Sequence, residues 1–161
     1  MKSRRRLAPL LPWTMLAVLA MGCDGTVIIT DPDDGAVSFQ TIVQSQASGI
    51  EDSREQIIES RSEWTAVWSE IGRGGPPPAV DFGRDMIALV AAGSRPNGCY
   101  TIEIRSIDLH GGLLRIDADL NEPGDNCLCP QGIVQPVHAV RLRRISRRAD
   151  FDLRRVVQDC R

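Results

Sequence analysis

A chain of 161 residues accommodates one domain and is too short for two of ordinary size. Hydrophobic residues at 42% and charged residues at 25% are the proportions of a globular protein, which excludes a mainly disordered chain and one that crosses a membrane repeatedly. The formal net charge of −2 calls for neither nucleic acid nor a strongly acidic partner, but it hides an asymmetry. Four of the nineteen basic residues are Lys2, Arg4, Arg5 and Arg6, so the remainder carries fifteen basic against twenty-one acidic residues.

The basic start leads into an apolar run from Leu7 to Met21, broken by Pro9, Pro12 and Thr14. That run is shorter than the roughly 20 apolar residues of a membrane span and has the layout of a secretory signal. It closes on Ala20-Met21-Gly22-Cys23, which resembles the lipobox of bacterial lipoproteins, with Ala20 where a leucine is usual. The resemblance implies that residues 1–22 are a lipoprotein signal peptide and that Cys23 is lipidated. The protein would then be held by a lipid anchor on the membrane of the bacterial cell envelope, on its periplasmic or cell-surface side. Residues 23–35, rich in Asp, Gly and Pro, read as an acidic flexible tether, and 36–161 as a single globular β-rich domain.

Within that domain, 36–44 is rich in Val, Ile, Phe and Thr and predicts a strand; 54–59 predicts a short partner beyond the Ser48-Gly49 turn. Ser60-Arg61-Ser62-Glu63 has the spacing of a capping box, and Trp64, Val67, Trp68 and Ile71 follow at helical intervals. Gly72 and then Pro76-Pro77-Pro78 end the helix. Met86 to Ala92 is almost wholly apolar and predicts a central strand. Tyr100, Ile102 and Ile104 alternate with polar residues, the parity slips past Ser106 as at a bulge, and Gly111-Gly112 turns the chain into 114–120. Further strands are expected at 137–142 and 153–157, and the Arg-rich stretch 141–148 reads as a charged edge offset by Asp150, Asp152 and Asp159. The fold class is α+β, mostly antiparallel β, with about seven strands in a sandwich-like or curved sheet and one packed amphipathic helix.

Cys99, Cys127, Cys129 and Cys160 are an even set, and in an oxidising compartment they form two disulfides. Of the three pairings, Cys127 with Cys160 and Cys99 with Cys129 is favoured: a C-x-C bridge is strained, and a bond from Cys160 ties down a terminus. The alternative is a zinc site of Cys127, Cys129, Cys160 and His138, which lacks the usual C-x₂₋₄-C pair. His138 lies in phase with Val140 and Leu142 and reads as a packed residue. No metal and no cofactor is expected. Neither histidine has the context of a hydrolytic triad, no glycine-rich loop carries the Lys-Ser/Thr pair that holds phosphate, and no catalytic residue is assigned.

Val80-Asp81-Phe82-Gly83-Arg84-Asp85-Met86, Gly93-Ser94-Arg95-Pro96-Asn97-Gly98-Cys99-Tyr100, Glu122-Pro123-Gly124-Asp125-Asn126-Cys127 and Gln135-Pro136-Val137-His138 together resemble the C-terminal domain family of PrcB, the protease-complex stability subunit, over 80–157. Asn97 and Cys99 stand where that family usually has Thr and Gly. The resemblance implies an exported, non-catalytic accessory protein whose partner is another protein, a protease among the candidates, at the envelope. Arg95, Pro96, Asn97, Gly98 and Tyr100 are the candidate partner-binding residues, because rigid turns on a sheet often carry recognition and Arg and Tyr are frequent contact residues. The G-Y loop also resembles that of chagasin-like cysteine-protease inhibitors, which implies an inhibitor acting through 95–100; a structural envelope lipoprotein is the third reading. No nucleic-acid partner is expected.

Overall fold

The computed structural model describes residues 34–160. Two four-stranded sheets and one helix form three layers, with a small third sheet at one end. The strands are β1 (Gly35–Ala36), β2 (Phe39–Ser45), β3 (Ser53–Ile58), β4 (Asp85–Ala92), β5 (Arg95–Asn97), β6 (Thr101–His110), β7 (Leu113–Pro123), β8 (Gln131–Val134), β9 (Val137–Arg143) and β10 (Arg148–Gln158). The helix α1 spans Arg61–Ile71. The first sheet has the order β1-β6-β7-β10, the second β2-β9-β4-β3, and β5 pairs with β8.

The continuous apolar run of β4 has a simple cause. Met86, Ala88, Val90 and Ala92 face the first sheet and pack against Ile102, Ile104, Leu114, Ile116 and Leu120. Ile87, Leu89 and Ala91 face the opposite way, onto Trp64, Val67, Trp68 and Ile71 of the helix. A strand buried on both faces cannot alternate apolar with polar residues.

The helix forms where its signals lie. The Ser60 hydroxyl accepts the Glu63 N–H at 3.3 Å, and the Glu63 carboxylate accepts the Glu59 N–H at 3.1 Å, one residue further upstream than the usual capping box. Gly72 ends the helix at φ 72°, in the left-handed region that favours glycine. Trp64 donates its indole N–H to the Pro78 carbonyl at 3.1 Å, so the proline run after the helix is folded back against it.

Three expectations are corrected. The described residues hold ten strands rather than about seven, partly because 36–44 divides at Val37-Ser38: β1 joins one sheet and β2 the other. The terminal strand is eleven residues long and pairs with β7 in parallel, from Arg148↔Leu113 to Gln158↔Pro123. The chain reaches β10 by crossing from β9 in the second sheet, which sets its direction the same as that of β7. The Arg-rich stretch is not one edge, since β9 lies between β2 and β4 with Val137 to Val140 buried, and of the two strands it touches β10 alone lies at an edge.

Candidate functional site

Strand direction divides the molecule into two ends. At one end lie Asp34, the His110-Gly111-Gly112 turn and the 144–147 connection between β9 and β10; the Asp34 carboxylate accepts the Gly111 N–H at 3.1 Å. At the other lie 46–52, 93–100, 123–136 and Asp159–Cys160. The ten residues of β6 separate the two, about 30 Å at the usual rise of ~3.3 Å per residue.

The second end is cross-linked. Cys99 is bonded to Cys129, with Cα atoms 5.5 Å apart, and Cys127 to Cys160, with Cα atoms 4.9 Å apart. In these pairs all four sulfurs are bonded to one another, an arrangement that leaves none of them as a thiolate to join His138. Among the described residues no cluster of three His, Cys, Asp or Glu is placed to hold a metal.

The candidate loop is built into this end and does not project from it. Arg95 and Asn97 pair with Val134 and Gln131 across β5 and β8. The Arg95 guanidinium sits over the Tyr100 ring, 6.0 Å from its centroid, and Arg95 Nε is buried without a hydrogen-bond partner among the described residues. Tyr100 packs in turn against the main core. The Asn97 side-chain oxygen accepts the Cys99 N–H at 3.1 Å, and Gly98 donates to the Pro130 carbonyl at 2.9 Å. One Gln46 amide donates to the carbonyls of Gly98 and Tyr100. No described non-glycine residue has a positive φ, so the bend needs neither a left-handed Asn97 nor a strained Cys99. A Cβ at Gly98 would lie 3.3 Å from the Pro130 ring, a tight approach to which the ring would have to yield by a few tenths of an ångström. Pro96 is exposed, while Arg95, Asn97, Gly98 and Tyr100 are half-buried.

A residue with no part in the sequence reading is far more exposed. Leu128, between the two adjacent disulfide cysteines, is 99% exposed. Its signal was the Cys-x-Cys spacing itself, which fixes what flanks it but not which way it faces.

His138 is the buried polar group at the centre of the sandwich. Its Nδ1 accepts the Ile104 backbone N–H at 2.9 Å, which leaves the proton on Nε2, 2.9 Å from Thr41 Oγ1. In that tautomer the ring donates to the threonine and cannot take its proton, so the pair is not a nucleophile with its base. Burial pushes the imidazole below its ordinary value, opposed by the Glu103 carboxylate. At the tether end, a hollow of about 440 Å³ contains Arg84, Arg141, Arg143, Asp81 and Asp85. Arg141 there donates to Gln40 at 2.6 Å and stands 3.8 Å from Asp85, a mixed-charge surface.

Cys23 lies outside the described residues. Among the described residues no helix is long and apolar enough to cross a membrane, and the two disulfides point to an oxidising compartment. No curated protein and no solved structure matches the chain. Residues 86–143, running from β4 to the end of β9, match the family model described as PrcB C-terminal.

Proposed function

We propose that the protein is an exported, lipid-anchored, non-catalytic binding module that holds a protein partner at the bacterial envelope as an accessory of a protease complex. The family match supports the association with a protease complex. The observation that carries the reading further is the separation of the two ends. Residue 34, through which any anchor at Cys23 would act, lies at the His110 turn, whereas both disulfides and the loop 95–100 lie at the far end. An anchored molecule would thus present its disulfide-bonded surface away from the bilayer, where a folded partner can meet it. Rigid presentation lowers the ordering cost of association. The inhibitor reading has less support, since a loop that is half-buried and paired in a sheet has little to insert into a protease cleft.

The test is affinity purification of the full chain from detergent-solubilised envelope, with mass spectrometry of its mature N-terminus. The expected result is a stoichiometric protease whose cellular level falls when this protein is deleted, together with acylated Cys23. A protease level indifferent to the deletion, with none retained on purification, overturns the reading.

A further inference from the structure

We propose that Leu128 is the anchor of the contact, inserting into an apolar pocket bordered by positive charge on a protein partner. This deepens the reading above and depends on it. An exposed leucine ordinarily needs no explanation. Leu128 differs because both its neighbours are covalently fixed, Cys127 to Cys160 beyond β10 and Cys129 to Cys99 beyond β5. The backbone under a fully exposed aliphatic side chain is therefore already ordered, and contact would cost little further backbone freedom. Ile133 on β8 and Val157 on β10, at the same end, are 71% and 65% exposed.

The charge around this tip selects the occupant. Asp125 and Asp159 line a recess of about 440 Å³ together with Val157, and neither makes an ion pair among the described residues. Anionic lipid would be repelled by these carboxylates, and the described chain begins at the opposite end, at Asp34. A second copy meeting the same tip in a two-fold dimer would bring like charges together. A protein with an apolar pocket and a basic border satisfies both features.

The experiment uses the full, lipidated chain in its native envelope. A photo-reactive phenylalanine analogue replaces Leu128 in one variant and His110, at the tether end, in another. Retention of the cross-linked protein is then compared for Leu128→Asp, Leu128→Ile and Asp125→Asn/Asp159→Asn. Because His110, Asp125, Leu128 and Asp159 are all exposed, every variant should keep the wild-type melting temperature. The expected result is one protein adduct from position 128 and none of it from 110. Leu128→Asp should lower retention about tenfold or more, with Leu128→Ile within about twofold of wild type. The double Asn variant should lose several-fold and flatten the salt dependence. Retention by Leu128→Asp equal to wild type overturns the inference while leaving the binding reading in place. An adduct with lipid or a second copy overturns it as well, and the absence of any retained protein removes both.

Discussion

The Ile104 backbone N–H donates to His138 Nδ1 across the gap between the two sheets, at 2.9 Å. β1 covers β6 only at Asp108 and Leu109, and Val37 adds a bond to the Ile107 carbonyl. Upstream, side chains of the second sheet complete the open edge: His138 serves the Ile104 amide and the Gln44 amide serves the Ile102 carbonyl at 3.2 Å. Two backbone groups of this strand edge are thus paired without a neighbouring strand.

The imidazole makes stability depend on pH. Burial holds its folded pKa below the ordinary 6.5, so on acidification the unfolded chain takes the proton first. Stability is therefore complete above pH 6.5 and falls as pH drops from there towards the folded value. In His138→Leu that slope should vanish. Stability near neutral pH should be lower by about 1–3 kcal/mol, because the Ile104 amide is left unpaired. Urea midpoints of both proteins above and below pH 6.5 check this, and a slope retained in the variant would refute it.

Two glycines in the left-handed region separate conformational strain from collision. At Gly93, φ is 72° and a Cβ would lie 2.8 Å from both the Glu51 carbonyl oxygen and the Ser53 nitrogen. At Gly74, φ is 64° and nothing lies within 4 Å. Gly74→Ala should cost about 1–2 kcal/mol, the price of the left-handed backbone alone. Gly93→Ala should cost clearly more, at least about 3 kcal/mol, since the strand β3 must also shift. Thermal denaturation of both variants decides it.

The N-terminal cap of α1 should respond to acid as well. The Glu63 carboxyl is held below its ordinary 4.5, first by the Glu59 N–H and then by the Ser60 hydroxyl. Its contribution is present above that value and lost as pH falls through the folded pKa. Ser60→Ala should cost about 1 kcal/mol at neutral pH. The smaller penalty of Glu63→Gln should disappear in strong acid, as measured by urea unfolding.

Removing either disulfide should destabilise the fold by about 3–4 kcal/mol, for loops closed by sequence separations of 30 and 33 residues. Cys127→Ser/Cys160→Ser should in addition release the end of β10, because Cys127 and Cys160 hold it beside Gly124, whose N–H donates to the Gln158 carbonyl at 2.8 Å. Hydrogen exchange at 156–158 should rise in that variant and stay slow in β4.

The helix, β4 and the β6–β7 hairpin were legible because each carries a local pattern: heptad-like spacing around Trp64 and Trp68, an unbroken apolar run, and alternation flanking Gly111-Gly112. The bulge was legible too, with the register shifting between Ile104 and Ser106. β5 and β8 were not, because Arg95-Pro96-Asn97 and Gln131 to Val134 are short, hold no fully buried residue and owe their pairing to each other and to a nearby disulfide. The parallel β7–β10 pairing escaped for a different reason, since alternation reveals which face a strand buries but not which strand lies beside it. At the candidate site, Arg95 and Tyr100 were recognisable as residue types suited to contact. Their stacking on each other, and the outward direction of Leu128, are set by tertiary placement.

The two-sided burial of β4 sets the smallest piece of this molecule that can stand alone. A fragment cut to the matched residues 86–143 would keep Ile87, Leu89 and Ala91 but lose the helix that covers them, and keep β7 but lose the strand along its outer edge. The recurring unit of sequence is therefore smaller than the cooperative unit of folding, and excising the former should yield an aggregating chain.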